Sequence, residues 1–251
     1  MRCSVNSISA CGKTDTGLKR RRNEDSYAVE LDYGLFIVAD GMGGHAAGDM
    51  ASSMAVNIVG DFIKKALSDS EMTWPFGLDR SVPIEINAIS SGIRLANRYI
   101  FNDSKDMGTT MVVLLVKGDK AAICHVGDSR LYRIRYNTIE QITEDHSLAA
   151  DAIKKGTITK EEARNYYLRH VVTMAIGMNA DIRCDCRVEV VRSEDMFLLC
   201  SDGLSSMLED SEILSITTKE NSIEQGCEKL VRMANEKGGD DNITAILVRC
   251  K

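Results

Sequence analysis

Short apolar runs bounded by Gly, Asp and Asn recur along the chain, a pattern typical of buried β-strands. The runs cover residues 27–30, 34–39, 109–117, 121–126, 131–135, 187–191, 196–201 and 242–249. The polar step Lys-Gly-Asp-Lys at 117–120 separates two of them and predicts a hairpin turn. Because the strands come in consecutive groups, the pattern favours stacked antiparallel sheets over alternating βαβ units.

Three other segments carry apolar residues at steps of three and four, the spacing of an amphipathic helix. They span 51–67, 86–100 and 223–234. For the third segment, Ser222 is a candidate N-cap and Gly238 a candidate stop. The sequence therefore predicts long helices that are separate from the groups of strands.

Length and composition favour one folded domain over residues 1–251. The chain has 251 residues, of which 44% are hydrophobic, and no repeat or Pro/Gly-rich linker divides it. Residues 146–170 are polar, with short helical patterns and no strong apolar face. We expect this segment to form a mobile flap over a site.

The charge balance and the absence of long apolar runs exclude several classes of function. A net charge of −6 argues against nucleic acid as the main partner. No run approaches the roughly eighteen apolar residues of a membrane span, and the N-terminus carries no apolar secretory region. We therefore expect a cytoplasmic protein with no membrane partner. Its eight cysteines are too sparse for a disulfide scaffold, so reduced structural thiols are expected.

Four acidic residues lie at the ends of separate apolar runs. Asp40, Asp128 and Asp202 each end a run, and Asp241 with Asn242 opens one. If these strands share one core, their ends can converge, and clustered carboxylates repel one another unless cations neutralise them. Carboxylate and carbonyl oxygens without Cys or His ligands suit hard ions such as Mg2+ or Mn2+. The pattern predicts a metal-dependent enzyme.

Six short motifs follow one another in order along the chain. They are Arg20-x-x-Asn23-Glu24-Asp25, Val38-Ala39-Asp40-Gly41-Met42-Gly43-Gly44-His45, Met107-Gly108-Thr109-Thr110, Val126-Gly127-Asp128-Ser129-Arg130, Cys200-Ser201-Asp202-Gly203-Leu204 and Gly239-Asp240-Asp241-Asn242-Ile243-Thr244. Any one of them is weak evidence, since a lone Asp-Gly is usually a turn. Together they resemble the type 2C metal-dependent protein serine/threonine phosphatases, in particular the compact, stand-alone bacterial members. The resemblance runs from about residue 12 to the C-terminus.

The resemblance implies a fold and a reaction. The fold is α/β (α+β), an α-β-β-α sandwich of two antiparallel sheets flanked by helices. The reaction is hydrolysis of phosphoserine and phosphothreonine in proteins by a water held between two Mg2+ or Mn2+ ions, with a possible weaker third ion. The implied partners are phosphoprotein substrates and a cognate serine/threonine kinase, and we expect a monomer.

The resemblance also implies roles for single residues. Asp40 matches the carboxylate that bridges two ions, and Gly41 matches a residue that offers its backbone carbonyl, which glycine allows without a side-chain clash. The other matched residues are Asp202 and Asp241 at the first ion, Glu24 at the second, Asp128 at the weaker third, and Arg20 as the guanidinium that binds phosphate.

Some acids keep a structural interpretation. Asp25, beside Glu24, is expected to orient water or its neighbours rather than bind an ion directly. Asp240, beside Asp241, is expected to be a loop acid. A turn role for Asp128 in Gly-Asp-Ser-Arg also stays open.

The identity of the general acid is open because the chain departs from part of the family. Many eukaryotic members have His where this chain has Met42, and methionine cannot donate a proton. His45 is a candidate substitute, since imidazole has a pKa suited to the task. It can equally hydrogen-bond the loop.

Two alternative functions remain. Cys124 and Arg130 form a Cys-x5-Arg string, the pattern of cysteine-dependent phosphatases. Such enzymes need a helix at the Arg end of the loop, whereas Arg130 leads into an alternating strand pattern, so coincidence is favoured. The second alternative is an inactive phosphoprotein-binding module, against which the intact Asp40, Asp202 and Asp241 weigh.

Overall fold

The computed structural model describes residues 7–43, 47–103, 107–163 and 165–251. The strands are β1 (Ile8–Asp15), β2 (Asp25–Glu30), β3 (Leu35–Gly43), β4 (Met107–Thr109), β5 (Met111–Lys117), β6 (Lys120–Val126), β7 (Arg130–Arg135), β8 (Thr138–Gln141), β9 (Asp185–Val190), β10 (Met196–Cys200) and β11 (Ile243–Cys250). The helices are α1 (Ala47–Ser68), α2 (Ile84–Asp103), α3 (Leu148–Lys154), α4 (Lys160–Ala163), α5 (Asp202–Ser205), α6 (Asp210–Lys219) and α7 (Ile223–Glu236).

The strands form two antiparallel sheets. Sheet I has the order β1-β11-β10-β7-β8, and sheet II has the order β2-β3-β5-β6-β9, with the short β4 paired to β3. The hairpin predicted at 117–120 joins β5 to β6. The prediction of stacked antiparallel sheets is therefore confirmed.

A core between the sheets holds the two layers together. Phe36 and Val38 of β3 pack there with Leu131, Phe197 and Ile246 from sheet I, and all five are fully buried. Burial of such side chains contributes roughly 1.5–3 kcal/mol each. These contacts fix the ends of the two sheets relative to one another.

Helices cover the outer face of each sheet. Helices α1 and α2 pack on sheet II, where Ile37 of β3 meets Val59 and Ile93. On sheet I, Leu230 of α7 packs with Leu247 of β11. Successive residues of a strand face opposite sides, so β3 is buried on both faces, which explains its unbroken apolar run. The predicted α-β-β-α sandwich is confirmed.

Helix ends agree with the sequence signals in part. The hydroxyl oxygen of Ser222 accepts a hydrogen bond from the backbone N–H of Gln225, as expected for an N-cap. The sequence analysis did not predict β1, β4, β8, α5 or α6. Strand β1 is only half-buried and has a weak apolar pattern, so its pairing with β11 defines it.

Within the segment 146–170, predicted as a flap, the described residues form α3, α4 and connecting turns. Ser147 caps α3 by accepting a hydrogen bond from Ala150. Its mobility stays a prediction. Among the helices that the structure describes, none is both long and apolar enough to cross a membrane.

The expectation that all cysteines are reduced is wrong for one pair. Cys124 and Cys186 form a disulfide between β6 and β9. The strand register places them directly opposite one another, with their Cα atoms 4.1 Å apart. Composition could not reveal this pairing, because the two cysteines are 62 residues apart in sequence.

Candidate metal centre

The acids that end the apolar runs come together where the strand ends of both sheets meet. Asp40 lies opposite Asp25 in the β2–β3 register, Asp202 begins α5 directly after β10, and Asp241 closely precedes β11. Burial and then repulsion from neighbouring carboxylates, Asp25 and Asp202 first among them, raise the pKa of Asp40 well above its ordinary value. A cation bound among these carboxylates would relieve this repulsion and favour their charged form.

Asp25 is buried at the centre of this cluster. Its Oδ2 accepts hydrogen bonds from the hydroxyls of Ser201 (2.7 Å) and Thr244 (2.6 Å). Burial raises the pKa of Asp25 to about 7, although these two hydrogen bonds oppose the shift. The interpretation of Asp25 as an orienting acid fits these contacts.

Two buried carboxylate oxygens have no hydrogen-bond partner among the described residues. They are Oδ1 of Asp25 and Oδ1 of Asp202. Buried polar atoms are normally paired, so each such atom requires a partner of another kind. Oxygen atoms of this type are the ligands that Mg2+ and Mn2+ accept. The donor set therefore fits a hard divalent cation.

Gly41 lies in a space that excludes any side chain. A Cβ at position 41 would be 2.1 Å from the carbonyl oxygen of Gly48 and 2.5 Å from that of Glu24. The backbone N–H of Gly41 donates to the Glu24 carbonyl at 3.1 Å. This close approach places the Glu24 carboxylate against the first turn of α1, since a Cβ on Gly48 would meet Glu24 Oε2 at 2.7 Å. Burial raises the pKa of Glu24.

Asn242 fastens the loop before β2 to the start of β11. Its Oδ1 accepts from the backbone N–H of Glu24 at 2.8 Å. Its Nδ2 donates to the carbonyls of Thr16 and Arg22, both at 2.8 Å. In the sequence, Asn242 was only one residue of a motif, with no assigned role. It positions Glu24 through a contact between residues more than 200 positions apart in the chain, which no local pattern reveals.

Threonines from β4 and the adjoining residue fix the backbone of Asp40. The Asp40 carbonyl accepts from the Thr109 hydroxyl and from the Thr110 N–H, both at 2.8 Å. The Thr110 hydroxyl also lies 2.7 Å from that of Ser129, beside Asp128. The two acidic turns are thus connected through one buried threonine.

Asp128 lies in a buried turn at the end of β6. Burial and then the charge of Asp202 raise its pKa to about 8. Gly127 before it has a φ of 98°, which favours glycine. The backbone N–H of Gly127 donates to Nδ1 of His146 at 3.1 Å, and the backbone N–H of His146 donates to the Gly127 carbonyl at 3.0 Å. The start of the predicted flap therefore supports the Asp128 turn.

Arg20 contacts the cluster through Asp241. Its Nη2 donates to Asp241 Oδ2 at 2.6 Å, and this hydrogen bond raises the pKa of Arg20. In the described chain no three of the clustered acids bring carboxylate oxygens within 4.8 Å of one another. Asp241 is held by the guanidinium, so a shared ion would require it to exchange this partner.

The general-acid candidate from the sequence, His45, lies outside the described residues. A different imidazole reaches the cluster: Nδ1 of His170, from the predicted flap, is 3.8 Å from Oδ2 of Asp202. The sequence analysis missed His170, because no motif marks it and only the chain's return across the site brings it there.

The cysteine-phosphatase alternative is not supported by the geometry. Cys124 lies inside β6 and is disulfide-bonded. The Arg130 guanidinium donates to both carboxylate oxygens of Asp145, at 2.7–3.0 Å, and to the Tyr132 hydroxyl at 3.0 Å. These two residues do not form a phosphate-binding loop.

The chain as a whole is similar to proteins of one known family. The sequence profile of the family described as Protein phosphatase 2C matches residues 19–248. The chain is 37% identical over 243 residues to a Listeria welshimeri protein named serine/threonine phosphatase stp, covering 94% of this chain and 93% of that one. It is 36% identical to protein phosphatase PhpP of Streptococcus pneumoniae, with 94% of each chain covered.

Solved structures of serine/threonine phosphatases have the same fold as this chain. The Mycobacterium tuberculosis serine/threonine phosphatase PstP/Ppp superimposes with a TM-score of 0.85 at 29% identity, covering 97% of this chain and 99% of that one. A structure of the PstP catalytic domain in complex with two manganese ions superimposes with a TM-score of 0.81 at 29% identity, with 96% and 97% covered.

Proposed function

The chain belongs to the protein phosphatase 2C family and is a metal-dependent serine/threonine phosphatase, and we propose that the acidic cluster around Asp40 is its catalytic centre. The observation that carries this assignment is the convergence of buried carboxylates with unpaired oxygens on Asp25 and Asp202. The substrates are proteins that carry phosphoserine or phosphothreonine.

The ions of this centre are Mg2+ or Mn2+. Asp40, the Gly41 carbonyl, Asp202 and Asp241 would hold the first ion, and Asp40 with Glu24 the second. Asp128 would hold a weaker third ion. When bound, such ions activate a water for in-line attack on phosphorus and neutralise charge on the phosphoryl oxygens.

Arg20 binds the phosphate of the substrate. Its guanidinium pairs with Asp241, and it would exchange this carboxylate for two phosphate oxygens when substrate arrives. The leaving alkoxide of serine or threonine requires a proton, and two imidazoles can supply it, His45 and His170. His170 lies with its Nδ1 3.8 Å from Oδ2 of Asp202.

We further propose that the opposing enzyme is a serine/threonine kinase and that the protein acts in the cytoplasm as a monomer. The kinase, the cytoplasmic location and the monomeric state are the expectations drawn from the sequence. The segment 146–170, from which His170 comes, acts as a flap over the site.

Release of inorganic phosphate from a phosphothreonine peptide tests the function directly. The protein should release phosphate with Mn2+ present, and Cys124→Ser should retain most of the wild-type rate, because no thiol takes part. Binding of the peptide without phosphate release would favour the binding-module alternative. A folded but inactive Cys124→Ser variant would favour a cysteine nucleophile.

Arg20→Ala is expected to lower kcat/KM by roughly 10- to 100-fold, since a charge-assisted hydrogen bond contributes about 1.5–3 kcal/mol. The affinity for Mn2+ should not fall, because Asp241 loses a competing partner. Steady-state kinetics and Mn2+ titration calorimetry measure the two effects. Arg21→Ala is the matched control from the same exposed loop, and an equal loss in that variant would show that the basic run acts diffusely.

Asp128→Ala is expected to reduce turnover while sparing the two main ions. Titration calorimetry should show the loss of the weakest Mn2+-binding step alone. Activity at saturating Mn2+ should remain below that of the wild type, because the third ion cannot be held. A variant rate that equals the wild-type rate at every Mn2+ concentration would return Asp128 to a structural turn.

A further inference from the structure

Three cysteine sulfurs cluster on one face of the β6–β9 pair, away from the acidic centre. The register places Cys124 directly opposite Cys186. Strand alternation places Cys184, two residues before Cys186, on the same face, and its Sγ lies 3.5 Å from that of Cys186. Each pair of the three sulfurs is within 4.8 Å.

Two of the three cysteines, Cys184 and Cys186, border a cleft that is open to solvent. It has a volume of about 830 Å³ and lies between α2 and the segment that leads into β9, with Ser91, Arg94 and Ile182 among its lining residues. Cys184 and Cys186 also line it. An ion held by the sulfurs would therefore have a free coordination position facing the cleft.

The neighbouring imidazoles do not belong to this sulfur cluster. His125 lies opposite Asp185 in the register, so both face the other side of the strand pair. His146 Nδ1 accepts the N–H of Gly127, and its Nε2 lies 3.4 Å from Asp185 Oδ2. Both ring nitrogens of His146 are therefore paired on that other side, and this imidazole is not a ligand of an ion held by the sulfurs.

From this arrangement we propose that Cys124, Cys184 and Cys186 in their reduced form bind one thiophilic d10 metal ion of the Zn2+ class. Four-coordinate zinc has Zn–S bonds of about 2.3 Å, which places bound sulfurs about 3.8 Å apart. The Sγ atoms of Cys184 and Cys186 are already 3.5 Å apart, and reduction of the Cys124–Cys186 disulfide would free those two sulfurs to separate to the same distance. Soft thiolates select zinc-class ions, whereas the hard oxygens around Asp40 select Mg2+ or Mn2+.

Metal binding at these sulfurs requires two steps, reduction of the disulfide and then loss of the thiol protons. A dithiol first supplies two electrons and two protons to the Cys124–Cys186 disulfide, which gives two thiols, and is itself oxidised to a disulfide; a phosphine supplies the two electrons, becomes a phosphine oxide, and the two protons come from water. The metal ion then displaces three thiol protons as three metal–sulfur bonds form. Burial raises the pKa of the Cys184 thiol to about 11, so this thiol stays protonated at neutral pH until a metal displaces its proton. Disulfide and metal are therefore alternative occupants of the same sulfurs.

Cadmium serves as the probe, because cadmium–thiolate bonds give an ultraviolet charge-transfer absorption that carboxylate sites do not produce. The reduced protein, held in excess Mg2+ to fill the acidic centre, should bind one Cd2+ with this absorption. Cys184→Ser should weaken the affinity by about 100-fold or more, because loss of a group behind a ligand already costs about 10- to 100-fold.

Two controls make the experiment decisive. Cys11→Ser removes a cysteine of similar half-buried environment that lies near Cys227, and it should leave the Cd2+ absorption unchanged. The oxidised protein, with Cys124–Cys186 intact, should lack it. Phosphatase activity of Cys184→Ser in Mg2+ verifies folding. Absorption that survives in Cys184→Ser or in the oxidised protein, or that is lost in Cys11→Ser, would overturn the proposed site.

Discussion

Asp40→Asn is expected to lower kcat by about a thousandfold. A bound ion contributes several kcal/mol of charge stabilisation in the transition state, and a loss of about 4 kcal/mol corresponds to roughly three orders of magnitude in rate. Asparagine keeps the size of the side chain but removes the charge that, in the proposed centre, would balance two ions. Stopped assays of phosphate release from a phosphothreonine peptide measure the effect.

Asp240→Asn is the matched control for this substitution. Asp240 is an exposed acid beside Asp241, so the same loss of one charge occurs close to the centre but outside it. Its turnover should stay within about twofold of the wild type, as is usual for an exposed surface position. Thermal unfolding should show that Mn2+ stabilises Asp240→Asn but stabilises Asp40→Asn much less, since a ligand that binds the folded state raises its stability. An equal loss of turnover in the two variants would show that Asp40 is not a ligand of the catalytic ions.

Metal removal is expected to have the largest effect. Dialysis against a chelator should reduce phosphate release to the background rate, because the described site offers a cluster of acids and a guanidinium but no paired nucleophile and base of its own. Addition of Mn2+ or Mg2+ in excess should restore the rate. The metal-free protein should still be folded by circular dichroism, which separates loss of the ion from loss of the fold. Activity that persists after complete metal removal would contradict a metal-dependent reaction.

The fold was predictable where burial is strong. Strand β3 is buried on both faces, so its apolar run marks it clearly, and α1 carries a regular apolar stripe. Strand β1 was missed because its residues are half-buried at the sheet edge. In that case pairing with β11, rather than an intrinsic pattern, determines the conformation.

The candidate site was predictable to the extent that chemistry follows the strand ends. Asp40, Asp202 and Asp241 each border an apolar run, and the structure brings them to one place. What the sequence could not supply are contacts between distant segments. Three such contacts depend on the tertiary arrangement. His170 lies near Asp202, Arg20 donates a hydrogen bond to Asp241, and Cys124 forms a disulfide with Cys186.

Anomalous diffraction from crystals grown with Mn2+, recorded near the manganese absorption edge, tests the proposed centre most directly. We predict two strong anomalous peaks within bonding distance of Asp40 oxygens, one also close to Asp202 and Asp241 and the other close to Glu24, with a weaker third peak beside Asp128. Crystals of active protein that show manganese elsewhere, and none within reach of Asp40, would contradict the assignment of the acidic cluster as the catalytic metal centre.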